Sequence, residues 1–283
     1  MKFKKLFAGV AAAATLLAGM AFGTGAANAA ETTVDTAATV TFKASKEKQL
    51  TSAQLSAYKI ADYVNYGTAK TPVYGVKTAA GANRTKLAAA LTAAGFQNVP
   101  IDGTTDLMAW AMNQKTTTDT DGTVTQVQFD QSETRPWNNP SVTRKFADAL
   151  QAGNPFTATA DPFVLNKATG NDTDGWTATN KTALTAGVYL FLDGNASTDT
   201  LTQAVPMIVS TGSVDAEGVL SLGDSTAEVD MKSTVSGTQT KSTTSKSASV
   251  GETVPFELGY TIPNPVPTDF TLQFKDCLLY TSD

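Results

Sequence analysis

Histidine is absent from the 283 residues, and cysteine occurs once, at Cys277. Without imidazole there is no Ser-His-Asp or Cys-His catalysis, no histidine metal ligand and no imidazole pH switch. A single thiol excludes an internal disulfide framework and a cysteine-based metal site. Charge is sparse at 17%, and the net value of -5 has the wrong sign for a nucleic-acid-binding face. What is present is a 41% hydrophobic fraction in a chain long enough for one large domain or two modest ones. Thr, Ala, Ser and Gly crowd the remaining positions, a mixture that suits surface strands and turns better than long helices.

The N-terminus addresses the compartment. Lys2, Lys4 and Lys5 precede an apolar run from Leu6 to Phe22, which leads to Ala27-Asn28-Ala29-Ala30. A basic start, an apolar stretch and an Ala-x-Ala site form a secretory signal peptide over 1–29, with cleavage between Ala29 and Ala30. The alternative, a membrane anchor, is weakened by Gly9, Gly19 and the many alanines, by its marginal length and by the processing motif. Loss of those lysines without any acid leaves the mature chain more acidic still. Exported chains usually resist unfolding through disulfides. This one must rely on another device or on its core.

From Ala38 onward the pattern is mainly β. Near-alternating aliphatic and aromatic residues mark strands at 39–44, 55–64 and 72–76, with further strands at 123–129, 187–192, 205–210 and 219–222. Leu87 and Leu91 fit a helix over 84–94 with Gly95 as its C-cap, and 105–114 fits a second. A third, over 141–151, is capped by Ser141 and stopped by Gly153. The expectation is a sheet-dominated domain over 30–232 with short helices inserted in its connections. The stretch 233–249 is nearly all Ser, Thr, Gly and Lys, a linker or an exposed edge strand. Strand chemistry resumes at 253–263 and 270–276, and two strands do not make a stable sheet alone. The span 250–276 therefore reads as the start of a truncated second domain. The tail 277–283 breaks the pattern and reads as foreign sequence.

Three passages carry a resemblance. They are Leu55–Tyr63 (Leu-Ser-Ala-Tyr-Lys-Ile-Ala-Asp-Tyr), Leu184–Leu190 (Leu-Thr-Ala-Gly-Val-Tyr-Leu) and Val250–Leu258 (Val-Gly-Glu-Thr-Val-Pro-Phe-Glu-Leu). The last is followed by Ile262-Pro263 and Phe274-Lys275-Asp276. In order and spacing the set resembles the sortase-assembled backbone pilins of Gram-positive bacteria. The resemblance implies an immunoglobulin-like β-sandwich N-terminal pilin domain followed by an isopeptide-forming β-sandwich domain. It also implies a structural subunit of a covalently polymerised cell-surface fibre rather than an enzyme. Its partners would be a sortase and identical subunits, with a minor tip or base pilin and a host glycan or matrix as further partners. No cofactor and no nucleic acid is expected.

In such pilins a lysine near the end of the first domain accepts the threonine acyl group of a C-terminal Leu-Pro-x-Thr-Gly motif from the next subunit. Lys232, in Val229-Asp230-Met231-Lys232, matches that lysine in position, although the usual Tyr-Pro-Lys letters are absent. The ordinary alternative is a solvated surface lysine. The resemblance also implies an internal amide in the second domain, between a first-strand lysine and a last-strand asparagine, promoted by an acid. Lys241 stands at the first-strand position, Lys246 is its rival, and Asp276 matches the acid. Burial favours the neutral amine, which can attack the amide carbon, and the protonated carboxyl, which can polarise its oxygen. The asparagine would lie beyond 283, and the alternative is that Lys241 and Asp276 are surface charges. Such a crosslink would supply the resistance that disulfides give elsewhere.

Other signals lead to structural readings. Asp119-Thr120-Asp121-Gly122 and Asn171-Asp172-Thr173-Asp174-Gly175 superficially resemble calcium loops. Val124 replaces the sixth-position glycine of the first, and the second lacks the acid at the twelfth position. Both read as hairpin turns, so no metal is expected. Trp110, Trp137 and Trp176 read as core residues rather than the floor of a sugar site. Two other function classes remain on sequence alone: a monomeric wall-anchored adhesin, and a secreted hydrolase using a carboxylate pair that no spacing singles out.

Overall fold

A computed structural model describes residues 31–68, 70–72, 74–129, 141–195, 203–214, 220–221, 227–231, 233–234, 239–243 and 253–260. The chain begins with β1 (Thr32–Thr33), β2 (Ala37–Ala38), β3 (Val40–Ala44), α1 (Glu47–Thr51), β4 (Leu55–Asn65) and β5 (Tyr74–Thr78). Next come α2 (Arg84–Ala94), α3 (Leu107–Met112), β6 (Thr117–Thr118), β7 (Val124–Gln126) and α4 (Val142–Ala152). A β-rich stretch follows: β8 (Ala160–Phe163), β9 (Thr169–Asn171), β10 (Gly175–Thr179), β11 (Leu184–Thr185) and β12 (Gly187–Asp193). Short strands β13 (Gln203–Ala204), β14 (Met207–Ser210), β15 (Ser213–Val214) and β16 (Leu220–Ser221) lead to β17 (Ala227–Asp230). The last described elements are β18 (Ser233–Thr234), β19 (Gln239–Ser242) and β20 (Glu257–Tyr260). The protein is mainly β, with several antiparallel sheets.

β4 is the spine of the larger sheet. β12 pairs with it antiparallel from Leu55 to Asp62 and β14 lies beyond β12, while β8 pairs with β4 at Leu55 and Ala57, β5 from Ala61 to Asn65, and β1 at Val64 and Asn65. A second sheet has the order β17-β3-β10-β9 and contains one parallel pair, β17 with β3. Period-two alternation explains how the two meet. Val40 and Phe42 of β3, Ala227 and Val229 of β17, and Tyr189 and Phe191 of β12 share one buried apolar cluster.

The residues of β12 that alternate with these, Val188 and Leu190, point the other way, into a second cluster with Ile60, Leu91 and Phe146. That cluster is closed by α2, α3 and α4. β12, an inner strand of the larger sheet, is therefore buried on both faces, and Gly187–Asp193 reads Gly-Val-Tyr-Leu-Phe-Leu-Asp with only Leu192 half-buried. The helices are more than the insertions in connections that the sequence pattern predicts. They form a layer with a core of its own, which at about 1.5–3 kcal/mol per buried large side chain is a major share of the fold.

The helices start and stop where their cap residues dictate. Asn83 accepts from the Lys86 amide at 3.0 Å and Ser141 from the Arg144 amide at 3.1 Å, while Gly95 ends α2 at φ +107°. Asp106 caps α3 through the Ala109 amide at 2.9 Å and also takes the Thr78 amide and hydroxyl, tying α3 to β5. Asp106→Ala is expected to lower stability by about 2 kcal/mol, with Asp106→Asn losing less, as read by urea unfolding. Tyr63 meets Ser210 Oγ within the core, and burial pushes its phenol up to about 12.

Several boundaries move from the sequence reading. The expected strands at 123–129 and 205–210 contract to β7 and β14, and 253–263 contributes only β20 among its described residues. The polar stretch 233–249 contains both β18 and β19. The two Asp-Gly passages are the turns of the β6–β7 and β9–β10 hairpins, with Gly122 and Gly175 at positive φ. Trp110 packs half-buried against Phe96, and the half-buried Trp176 donates Nε1–H to Asp172 Oδ1 at 2.8 Å. Trp137, the strand at 270–276 and the tail 277–283 lie outside the described residues.

Candidate functional site

Of the lysines singled out in the sequence, Lys232 and Lys246 lie outside the described residues, as do Asp276, Ala29 and Ala30. The chain on both sides of Lys232 is described, and it is held tightly. On the N-terminal side β17 runs parallel to β3, with Ala227 opposite Val40 and Asp230 opposite Lys43. Met231, 3% exposed, donates its amide to Lys43 O at 2.7 Å and accepts from Gln49 Nε2 of α1 at 3.4 Å. On the outer face Lys43 Nζ meets Glu228 Oε2 at 2.6 Å.

On the C-terminal side Ser233 and Thr234 pair with Ala204 and Gln203. That pairing leans on a carboxylate the sequence reading passed over. Asp193, 3% exposed at the end of β12, accepts from the amides of Gln54 at 3.0 Å, Asn195 at 3.1 Å and Ala204 at 2.9 Å. Its signal in the sequence is an acid closing an otherwise apolar strand. Residue 232 thus falls between two anchored strand ends, one in each direction along the chain.

Lys241 lies in the β19–β20 ribbon, at the register position opposite Leu258. In an antiparallel pair directly opposed residues share a face. Leu258 on that face is 42% exposed, and Phe256 two residues earlier is 46% exposed. The ribbon therefore places a lysine position and an apolar residue on one side.

A further lysine was missed. Lys59 is drawn into the fold with its Nζ 2.5 Å from Asp62 Oδ1, 2.9 Å from Thr185 Oγ1 and 5.8 Å from the centre of the Tyr189 ring. Its stem fills the space beside Gly187, where an added Cβ would sit 2.4 Å from Lys59 Cε and 2.6 Å from Ala61 O. That contact accounts for the glycine in Ala186-Gly187-Val188. Paired with a carboxylate and a hydroxyl, Lys59 is fastened to its own strand and to the neighbouring β11, a structural role.

Surface clefts among the described residues include two of note. One, of about 690 Å³, runs between Leu50–Ser56 and Asp161–Ala168 over a floor that includes Leu55 and Phe163. The other, of about 280 Å³, lies beside Arg84, Lys77 and Asp106. Asp102 near the latter has its carboxyl held well below the usual range by bonds from the Thr105 hydroxyl and amide and from Thr104. Those bonds, all from within residues 102–105, fasten a turn. Among the described residues no group of three or more acidic or cysteine side chains is placed to hold a metal ion, and no helix is long and apolar enough to cross a membrane. No family model, no curated protein and no solved structure matches this chain.

Proposed function

We propose that the chain is a structural subunit of a covalently polymerised surface fibre, exported by its N-terminal signal and joined to its neighbours through Lys232. In this reading the two facing sheets are an immunoglobulin-like pilin domain carrying an extra helical layer. The partners are a sortase and further copies of the same chain, at the cell wall of a Gram-positive bacterium.

The observation that carries the reading is the anchoring on either side of residue 232. A lysine that serves as acyl acceptor must be offered to an enzyme on a short, accessible segment while its flanks transmit load into the fold. Met231 is buried and bonded to β3, and Ser233 pairs with β13, so a segment of one residue lies between two fixed points. The transfer balances simply: the Lys232 amine replaces the sortase cysteine on the threonine carbonyl, the new C–N bond forms as the thioester breaks, and the amine gives up one proton.

In the second region Lys241 is the proposed amine of the internal amide, with Asp276 as its acid. What supports Lys241 is its register opposite Leu258, which puts the lysine position and an exposed apolar residue on one side of the ribbon. Lys246 remains the other candidate.

Lys232→Ala in the exporting cell is the test. The high-mass ladder on denaturing gels should vanish while the monomer is still exported. A ladder unchanged by the substitution removes Lys232 from the role, and absence of any ladder from the unsubstituted chain favours a monomeric adhesin.

A further inference from the structure

We infer that the parallel pair β3–β17 is a shear clamp that makes the folded unit resistant to tension applied through its two ends. The argument is independent of the role of Lys232 and rests on strand direction. β3 follows only short strands at the start of the described fold, and β17 is followed only by the two-residue β18 before the 235–283 region. The pair is in register from Val40 with Ala227 to Lys43 with Asp230. Tension reaching β3 from the N-terminal side pulls at Val40. Tension reaching β17 from the C-terminal side pulls at Met231. These are opposite ends of a parallel pair, so the strands can separate only by sliding, and all their bonds share the load at once. An antiparallel pair pulled through the same two termini would open one bond at a time from one end.

The surroundings of the pair reinforce this geometry. Val40 and Phe42 are fully buried, and Ala227 and Val229 are each 5% exposed, so one face of the ladder is shielded from competing water. Lys43 and Glu228 close the other face with an ion pair across the two strands. Each loaded end is also locked. At the start of β3, Asn180 Oδ1 accepts from the Val40 amide at 2.8 Å while the Asn180 amide donates to Val40 O at 3.2 Å. Asn180 Nδ2 reaches Ala38 O and Thr182 O besides. At the end of β17, the Met231 amide is bonded to Lys43 O. The elements outside the clamp, β1, β2 and β18, are two residues each and would peel first at low force.

Forced unfolding is governed by the barrier along the pulled coordinate, so the same fold should differ in strength with pulling direction. The test uses residues 30–283 held by Cys277 and by one added cysteine. With Glu31→Cys, tension enters β3 at its start and loads the pair in shear. With Ser45→Cys, tension enters just after Ala44, at the same end of the pair as Met231, and unzips it. Both tethers peel β18 and everything beyond it identically, so the difference reports the clamp. Urea unfolding of the two variants, expected to coincide with that of the unsubstituted chain, checks that both are folded. At equal loading rate the Glu31 tether should require about twofold or more higher force than the Ser45 tether. Equal forces, or a higher force for the Ser45 tether, would overturn the clamp.

Discussion

Phe42→Ala is expected to lower the unfolding free energy by about 3–5 kcal/mol, the range for a large aromatic removed from a core that collapses only partly. Phe42 is fully buried at the centre of the smaller sheet. Its ring stands edge-on to Phe191 at 5.1 Å and tilted to Phe163 at 5.9 Å, and those two are themselves 5.0 Å apart. Three rings from β3, β12 and β8 thus join the two sheets, and each pair adds a little beyond its buried area. Removing Phe42 takes one aromatic partner from each of the other two rings and leaves a void that backbone hydrogen bonds on both sheets prevent from closing. Urea denaturation followed by tryptophan fluorescence should give a lower midpoint with an unchanged slope. Ile101→Ala, at a residue 91% exposed, is the control and should change stability little. A loss below about 1 kcal/mol for Phe42→Ala would mean that the sheets are not packed through this cluster.

Asp193→Ala should cost about 3 kcal/mol or more, because it strands several buried amides at once. The carboxylate gathers Gln54, Asn195 and Ala204 where β12 ends, and its own carbonyl accepts from Gln203 Nε2 at 3.0 Å. Neither water nor another side chain can replace it without opening the region. Asp193→Asn is the more telling variant. It preserves shape but turns a donor toward the Ala204 amide or toward the Gln54 and Asn195 amides, so it should lose much of the same stability. Beyond the global effect there is a local one. Ala204 pairs with Ser233, so freeing it should speed amide exchange at Ala204 well above that of the β4–β12 core. Unchanged exchange at Ala204 would separate Asp193 from the anchoring of the segment after Lys232.

What was legible in the sequence follows from how local each signal is. The helices α2 and α4 were readable because Gly95, Ser141 and Gly153 act within their own turns. β4 was readable because it is eleven residues long. α1 was missed at five residues, too short for a helical period, and β8 was hidden by Pro162 inside it. The unbroken apolar run of β12 was noticed as a strand, yet its real message, burial on both faces and so a helical layer, needs the absence of alternation to be taken at face value.

The site was less legible than the fold. Val229 and Met231 gave a hydrophobic approach to Lys232, but the partner that holds them is β3, close to the other end of the chain, and no local pattern encodes a parallel pairing across that distance. The same separation hides the Lys43–Glu228 pair, whose members look like solvated charges in sequence. Asp193 and Asn180 escaped for a related reason. Their acceptors and donors come from distant backbone, and only the fold brings those groups together.

The central claim is that Lys232 carries the covalent link between subunits. Mass spectrometry of protease digests of the high-mass species from the cell surface addresses it directly. The account predicts a branched peptide in which the Lys232 Nζ is in amide linkage to the carbonyl of a threonine at the C-terminus of a second peptide. Recovery of Lys232 only as a free amine, with the branch on another lysine or with no branch at all, would contradict it.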